Sequence, residues 1–261
     1  MRGIWKRNSC LRAKCIDSHK RRILDFNLPL VSLIVLAGCF TQSLTGFGVA
    51  LVTMAMLPSL MGLDIATPLV ALVGITLEVL MLLRYHASLR FKSILGLLLS
   101  SLVAIPFGVI YFRRLDEEYA LFILGLVITI YALYALIGFR LPVLSHPAWA
   151  LLFGLASGVL GGAYNTSGPP VIVYGNCRRW SPREFKSNLS GFFLAGSVVV
   201  VSTHWASGNI THDVWSGFLV SLPALLLGFL LGQSMDKRLN PESFRRIVLV
   251  LLVILGARLM M

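Results

Sequence analysis

The sequence predicts an all-α polytopic membrane protein with two repeats of about four hydrophobic segments, each repeat beginning with a broken or re-entrant helix. Three observations predict this fold: an apolar composition, apolar segments long enough to cross a bilayer, and a repeat spacing of about 120 residues. The 261 residues are 57% hydrophobic and 13% charged. Soluble domains carry about 25% charged residues. So few charges cannot cover a water-exposed surface, which excludes soluble enzymes and disordered proteins.

Six of the eight apolar segments are close to the roughly 20 residues that a helix needs to cross a bilayer, and two are longer. The eight segments are 28–60, 65–83, 94–112, 119–139, 148–174, 189–205, 214–235 and 244–261. The gaps between them are short and polar or basic, and none is long enough for a separate extramembrane domain. We therefore expect the activity to lie within the membrane.

The formal charge of +12 has the distribution of a membrane protein, not of a nucleic-acid-binding protein. Eight of the 23 basic residues precede the first apolar segment, and nearly all the others lie in gaps between segments. Lys and Arg are retained in this way on the cytoplasmic side of a bilayer. We therefore expect no nucleic-acid partner, and we expect the basic tail at residues 1–27 to contact anionic lipid.

The cysteines and histidines indicate no cofactor. No CxxC motif or Cys/His cluster is present among the four cysteines, so neither a zinc site nor a disulfide framework is predicted. We expect no metal and no other cofactor.

Two apolar segments are too long to be single spans. Residues 28–60 would extend about 50 Å as one helix, against a hydrocarbon core of about 30 Å. The middle of this segment is polar and glycine-rich, from Thr41 to Gly48. The middle of 148–174 is similar and contains Pro169 and Pro170, which a helix interior tolerates poorly. Both segments should be interrupted within the membrane.

The two interrupted segments are related by a shift of 120 residues, which places Thr45 on Asn165 and Gly48 on Gly168. Gly108 falls on Gly228 by the same shift. The predicted organisation is a tail at 1–27, a first membrane repeat at 28–140 and a second at 141–261. Paired, glycine- or proline-interrupted segments are the best sequence indication of a secondary transporter.

Two topologies fit this pattern. If each interrupted segment is a re-entrant hairpin, the repeats are inverted, and the basic regions 84–92, 178–186 and 237–246 all face the cytoplasm. That arrangement satisfies the positive-inside rule except at the tail. If each interrupted segment crosses, there are eight spans, the tail is cytoplasmic and the basic loops of the second half lie outside. The charge distribution favours the inverted arrangement.

Several motifs carry a family resemblance when they occur in this order. They are the first interruption Thr45 to Leu51, the loop Tyr85 to Lys92, the second interruption Gly161 to Pro170, the turn His204 to Ile210 and the closing stretch Leu249 to Leu259. Together they resemble the sulfite exporter TauE/SafE family. The resemblance implies a multi-pass protein of the bacterial inner membrane that transports a sulfur-containing anion, such as sulfite or an organosulfonate, or a related small organic anion.

We expect the anion to bind at the interruptions for a physical reason. Where a helix restarts in the membrane, it exposes unpaired backbone N–H groups and the positive end of its dipole, a ready anion site. Such small and hydroxyl residues can instead serve helix packing, but two clusters at equivalent repeat positions favour binding. The candidate substrate-binding residues are Gln42, Ser43, Thr45, Gly46, Gly48, Asn165, Thr166, Ser167, Gly168 and Pro169.

Glu78 is the acidic residue that lies well inside an apolar segment. A carboxylate in lipid is costly and indicates function, here a proton-coupling site. It is only six residues from Arg84, however, and pairing with this residue near the membrane interface is an equally good interpretation.

Two other functions compete with a proton-coupled carrier. A passive anion channel would share the same site and differ only in coupling. An intramembrane serine hydrolase would pair Ser167 with His204, since a nucleophile and its base need only be neighbours in space. The GxSxG motif is absent, because Asn165 occupies the place of its first glycine.

Overall fold

The computed structural model describes residues 28–112, 116–138, 142–144, 146–235 and 241–261. The predicted basic tail at 1–27 lies outside the described residues, as do Lys237 and Arg238 of the last basic region. Within the described part, helices and short connections account for the chain, and it contains no strand. The all-helical fold class is confirmed.

Eleven α-helices are described. They are α1 Leu28–Thr45, α2 Val49–Met56, α3 Pro58–Met61, α4 Leu63–Tyr85, α5 Phe91–Phe112, α6 Glu117–Ile137, α7 Ala148–Tyr164, α8 Gly168–Cys177, α9 Pro182–Ala206, α10 His212–Met235 and α11 Pro241–Leu259. A 3₁₀ turn at His86–Ser88 follows α4.

Six of these helices are long and apolar enough to cross a membrane: α1, α4, α5, α6, α9 and α10. The chain is therefore a multi-pass membrane protein. The predicted segment 244–261 forms α11, which is helical but is not one of the six. Three arginines in this helix, Arg245, Arg246 and Arg258, account for the difference.

The structure interrupts both overlong segments where the sequence predicts. The first helix of each pair ends at a residue with left-handed backbone, Gly46 (φ 89°) after α1 and Asn165 (φ 54°) after α7. The Gly46 and Asn165 amides donate hydrogen bonds back to the Gln42 and Gly161 carbonyls, at 2.7 and 2.9 Å. Left-handed residues that close a helix in this way are common helix C-termini. The chain then restarts as α2 and as α8.

Glycines bring α5 and α7 into backbone contact. A Cβ on Gly158 would lie 2.3 Å from the Ser101 carbonyl oxygen, and a Cβ on Gly162 would lie 2.1 Å from that of Ile105. Small residues permit such close approach of helices in membranes. Because later residues of α7 meet later residues of α5, the two helices run parallel.

The same kind of contact joins α1 and α10. A Cβ on Gly228 would lie 2.6 Å from the Leu36 carbonyl oxygen, and one on Gly232 would lie 2.5 Å from Ser43 Cβ. These two helices are therefore parallel as well. Thus the first helix of each interrupted segment packs against a helix of the other predicted repeat.

The remaining contacts gather the helices around α4 and α9. These two helices pack against each other, α4 also contacts α10, α9 also contacts α5, and α6 packs against α11. The end of α4 adjoins the start of α9, because Arg90 Nε lies 2.6 Å from Glu184 Oε1 and Ser187 Oγ donates to the Tyr85 carbonyl at 2.9 Å. We call this end of the molecule, formed by residues 85–90 and the first turns of α9, the basic face.

Candidate functional site

A single cavity joins the two interruptions. Six predicted binding residues line it, together with Glu78. The six are Gln42, Gly48, Asn165, Thr166, Ser167 and Gly168. The rest of the wall comes from Phe47, Gly161 of α7 and residues of α2, α4, α5 and α9. Residues about 120 positions apart in the sequence therefore share one cavity.

Gln42 holds the first interruption in shape. Its Oε1 accepts a hydrogen bond from the Val49 amide, the first N–H of α2, at 3.0 Å, and its Nε2 donates to Glu78 Oε1. One of the unpaired N–H groups of the helix restart is thereby satisfied by the chain itself. Ala50 and Leu51, the next two residues of α2, line the cavity. The positive end of α2 therefore faces the cavity next to Gln42.

Glu78 is buried in the cavity wall, with 2% of its surface exposed. Its Oε1 accepts the Gln42 hydrogen bond, and its Oε2 has no hydrogen-bond partner among the described residues. Arg84 is exposed. A separation of six residues turns two helical side chains about 120° apart. The interfacial pairing with Arg84 is therefore wrong, and the carboxyl group belongs to the cavity.

The second interruption is held by contacts to α4 and α7. Asn165 Nδ2 donates to the Thr67 carbonyl at 2.6 Å, and Ser157 Oγ donates to the Ser167 carbonyl at 3.1 Å. Thr166 Oγ1 is buried without a hydrogen-bond partner in the described part of the chain. It lies on the cavity wall, where a ligand can supply the missing bond.

The helix restart at α8 offers fewer amides than the sequence argument assumed. Its first residues are Gly168, Pro169 and Pro170, and neither proline has an N–H. The helix dipole and the Gly168 amide remain, but the backbone donors of a typical helix N-terminus are mostly missing. Uncharged side-chain donors therefore carry more of the binding capacity on this side of the cavity.

Four predicted residues do not line the cavity: Ser43, Thr45, Gly46 and Pro169. The Thr45 hydroxyl lies 2.8 Å from the Thr41 carbonyl and 2.6 Å from that of Phe47, so it braces its own turn. Ser43 faces α10 at Gly232, and Gly46 contacts the Lys186 side chain. Ser43, Thr45 and Gly46 shape the first interruption from outside the cavity, and Pro169 lies in the first turn of α8.

Sequence reasoning missed the lining that comes from neighbouring helices. Ser101 of α5, Phe192, Phe193 and Ser197 of α9, and Phe47 between α1 and α2 all line the cavity. Gly74 and Gly196 also line it, where α4 and α9 face each other. Glycines and serines in mid-span were the available signal, but they are frequent in membrane helices and did not stand out.

The proposed hydrolase pair is not assembled at the cavity. Ser167 lines the cavity, whereas His204 does not. His204 Nδ1 instead lies 2.9 Å from Asn209 Nδ2, in the turn after α9. In the described residues, no group of three or more His, Cys, Asp or Glu side chains is arranged to hold a metal ion.

Comparison with known proteins places this cavity in a family context. The family model for "Sulfite exporter TauE/SafE" matches residues 30–259, which include both interruptions and all six apolar spans except the start of α1. The chain belongs to the TauE/SafE family. This family consists of membrane transporters, so the resemblance in the sequence is confirmed.

Two relatives extend the family assignment. The chain is 25% identical over 243 residues to a probable sulfite/organosulfonate exporter, TauE, of Cupriavidus necator, covering 90% of this chain and 94% of the relative. It is 26% identical over 181 residues to a probable inner membrane transporter protein, TsaS, of Comamonas testosteroni, covering 67% and 76%. No solved structure matches this TauE/SafE family member.

Proposed function

We propose that this protein is a proton-coupled secondary carrier of a small sulfur-containing anion, such as sulfite or an organosulfonate, in the bacterial inner membrane. The observation that carries the proposal is the shared cavity, in which two helix interruptions meet a buried carboxyl group. The name of the Cupriavidus necator relative supports the substrate class, and the name of the Comamonas testosteroni relative supports an inner membrane transporter. The partners are then the anion and the lipid bilayer.

The polar groups of the cavity suit an anion that must be released. The start of α2 presents a positive helix end, and the Asn165, Thr166 and Ser167 side chains bring amide and hydroxyl donors. No Lys or Arg is among the residues that line the cavity in the described chain. Binding through dipoles and neutral donors is weaker than binding through an ion pair, which favours turnover.

Glu78 supplies a physical basis for coupling. An ionised carboxylate in the wall would repel an incoming anion, and it is costly to bury without a cation. A proton on Glu78 removes both penalties, so the proton and the anion favour each other's binding. This linkage is reciprocal. Anion movement is thereby tied to proton movement through one cavity.

Inverted repeats at 28–140 and 141–261 account for the packing. Arg178 Nη1 donates to the Leu144 carbonyl at 2.9 Å, so the residues just before α7 and just after α8 are neighbours. This contact supports a re-entrant hairpin in the second repeat. Eight crossings would put the basic regions 84–92 and 178–186 on opposite faces, whereas Arg90 and Glu184 form an ion pair.

Ligand stabilisation of the purified protein tests the substrate class. We expect sulfite, thiosulfate or an organosulfonate, but not a carboxylate of similar size, to raise the melting temperature in a concentration-dependent way. Asn165→Ala and Ser167→Ala should weaken this stabilisation while the protein still elutes as a single species. Thr45→Ala, which alters a residue outside the cavity, is the matched comparison. If Asn165→Ala and Ser167→Ala both transport a confirmed substrate as well as Thr45→Ala does, the proposed site is wrong.

Coupling of anion transport to a proton gradient distinguishes a carrier from a passive channel. In proteoliposomes, an imposed proton gradient should drive accumulation of the confirmed anion above its external concentration. Accumulation that stops at electrochemical equilibrium for the anion alone would instead favour the channel. The hydrolase alternative predicts labelling of Ser167 by a fluorophosphonate in native membranes, and we expect none.

A further inference from the structure

The Phe47 side chain separates the cavity from the basic face. Phe47 is 6% exposed and lines the cavity. Away from the cavity, its ring makes edge-on contacts with Tyr131 of α6 and Phe185 of α9, each at 6.4 Å between centroids. Neither of these two aromatic residues lines the cavity in the described chain. The Phe47 ring thus forms the wall between them and the cavity interior.

Basic side chains lie directly behind this ring. The Arg245 guanidinium of α11 is 5.4 Å from the Phe47 centroid. Lys186, in the first turns of α9, contacts Gly46 and lies with its Nζ 5.5 Å from the centroid of the Tyr85 ring. Arg245 and Lys186 therefore place positive charge beside the first interruption.

Phe47 lies in a short non-helical turn between two glycines. Gly46 and Gly48 flank it with φ of 89° and 121°, a backbone region that residues with side chains rarely adopt. The Gly46 amide donates a hydrogen bond to the Gln42 carbonyl, and the Thr45 hydroxyl donates one to the Phe47 carbonyl. These bonds hold the backbone of the turn, so the ring moves by rotation of the Phe47 side chain.

The two interruptions differ at this position. A shift of 120 residues places Phe47 on Ser167, and both residues line the cavity. The first interruption closes its side with an aromatic ring, whereas the second has a hydroxymethyl group. The barrier is therefore on the side of the first interruption, where Arg245 and Lys186 lie.

We propose that Phe47 is the gate between the cavity and the basic face, and that Arg245 holds this gate closed until an anion attracts its guanidinium away from the ring. The role of the anion rests on the proposed function. A charge-assisted hydrogen bond from a guanidinium to an oxyanion is stronger than contact with an aromatic face. An oxyanion at this face therefore competes with the ring for Arg245 and releases it.

Thiol accessibility tests the gate without any substrate. A reporter Ser197→Cys in the cavity wall, in a chain with Cys10, Cys15, Cys39 and Cys177 replaced, is reacted from the basic face. Reaction rates are measured with a cationic and an anionic membrane-impermeant methanethiosulfonate. We expect Phe47→Ala to raise both rates at least tenfold. Phe153→Ala, which removes a ring that packs on Tyr174 outside the cavity, should change them less than twofold.

Arg245→Gln tests the second part of the proposal while leaving the ring in place. Loss of a positive charge at the entrance changes the reaction rates of the cationic and the anionic reagent in opposite directions. Opening of the gate raises both rates. We therefore expect the geometric mean of the two rates to rise at least threefold. A change in their ratio with an unchanged mean would show that Arg245 only steers ions and would overturn its role as a latch.

Phe47→Leu retains apolar bulk and provides a second variant if the alanine variant does not fold. We expect an intermediate rise in both rates. Rates within twofold of the parent in the folded Phe47 variants would overturn the gate. Protection of the reporter thiol by isethionate is measured separately. If isethionate protects the thiol in no variant and not in the parent, anion binding at the cavity is contradicted. The effect of the Phe47 variants on the reaction rates is a separate result and still tests the gate.

Discussion

Gln42 and Glu78 show how a single pair of side chains can serve both the backbone and the cavity. Gln42 ties the first amide of α2 with one end of its side-chain amide and Glu78 with the other. A change in the charge of Glu78 is therefore felt by the start of α2, where the anion is proposed to bind. Ligand and proton need not touch for each to affect the other.

Glu78→Gln tests this connection. Glutamine keeps the size of the side chain but can neither bind nor release a proton. We expect anion transport in proteoliposomes to lose its dependence on pH, with transport by the parent protein rising as the pH falls, because protonation removes the repulsion between the carboxylate and the anion. Initial rates between about pH 5 and pH 8 provide the measurement.

Glu184→Gln is the matched control for this prediction. Glu184 is paired with Arg90 at the basic face, outside the cavity. This variant should keep the pH profile of the parent. An unchanged profile in Glu78→Gln would remove Glu78 from the coupling mechanism.

The sequence predicted the residues of the interruptions better than the rest of the cavity. Pro169, Gly46 and Asn165 are unfavourable inside a helix, so local chemistry places the breaks. The sequence left open whether Glu78 faces the cavity or pairs with Arg84, because packing decides which side of α4 faces the cavity. Phe192 and Ser197 line the cavity only because α9 lies against the restarted helices. The sequence of one segment does not predict which other helix packs against it.

At the level of helices, close contact between α5 and α7 depends on glycines that leave no room for a side chain. The contact surface is formed by backbone atoms, so it cannot adjust by a change of rotamer. This packing fixes where α7 ends, and therefore where Asn165 and Thr166 enter the cavity. Stability and site geometry are linked through the same glycines.

Gly162→Ala should therefore be destabilising although alanine is the better helix former. The added Cβ would lie 2.1 Å from the Ile105 carbonyl oxygen and 2.9 Å from the Val109 nitrogen. We expect the free energy of unfolding to fall by about 1–3 kcal/mol, as for other overpacked sites. The melting temperatures of the variant and the parent in detergent are compared, with size-exclusion chromatography used to monitor unfolding.

Gly217→Ala in α10 is the control for that substitution. Its Cβ would lie 3.6 Å from Leu69 side-chain atoms, an ordinary contact distance. The helix propensity of alanine should leave the stability unchanged or raise it by up to about 1 kcal/mol. Equal melting temperatures for the Gly162 and Gly217 variants would contradict the backbone contact between α5 and α7.

For the whole molecule, the proposed inverted arrangement makes a prediction about sidedness. It places residues 84–92 and 207–213 on opposite faces of the membrane, whereas eight crossings place them on the same face. Ala87 and Ser207 are both exposed in the structure. Ala87→Cys and Ser207→Cys, each in a chain without native cysteines, should therefore react with an impermeant thiol reagent from opposite sides.

Oriented vesicles of both polarities make this test complete. Each variant should react in one vesicle orientation and be protected in the other, with the pattern reversed between the two variants. Reaction of both variants from the same side would reject the inverted arrangement. The composition predicted a membrane protein, but the relative directions of α5 and α7, and of α1 and α10, come from contacts between residues distant in sequence.

The exchange of helix partners between the halves has a consequence for assembly. The α7 helix of residues 141–261 packs against α5 of residues 28–140, and α1 packs against α10 in return. In the proposed two-repeat arrangement, each repeat thus leaves its own first helix to be covered by the other. On that proposal, a single copy of the repeated unit has to meet a second, oppositely oriented copy before it can enclose a cavity.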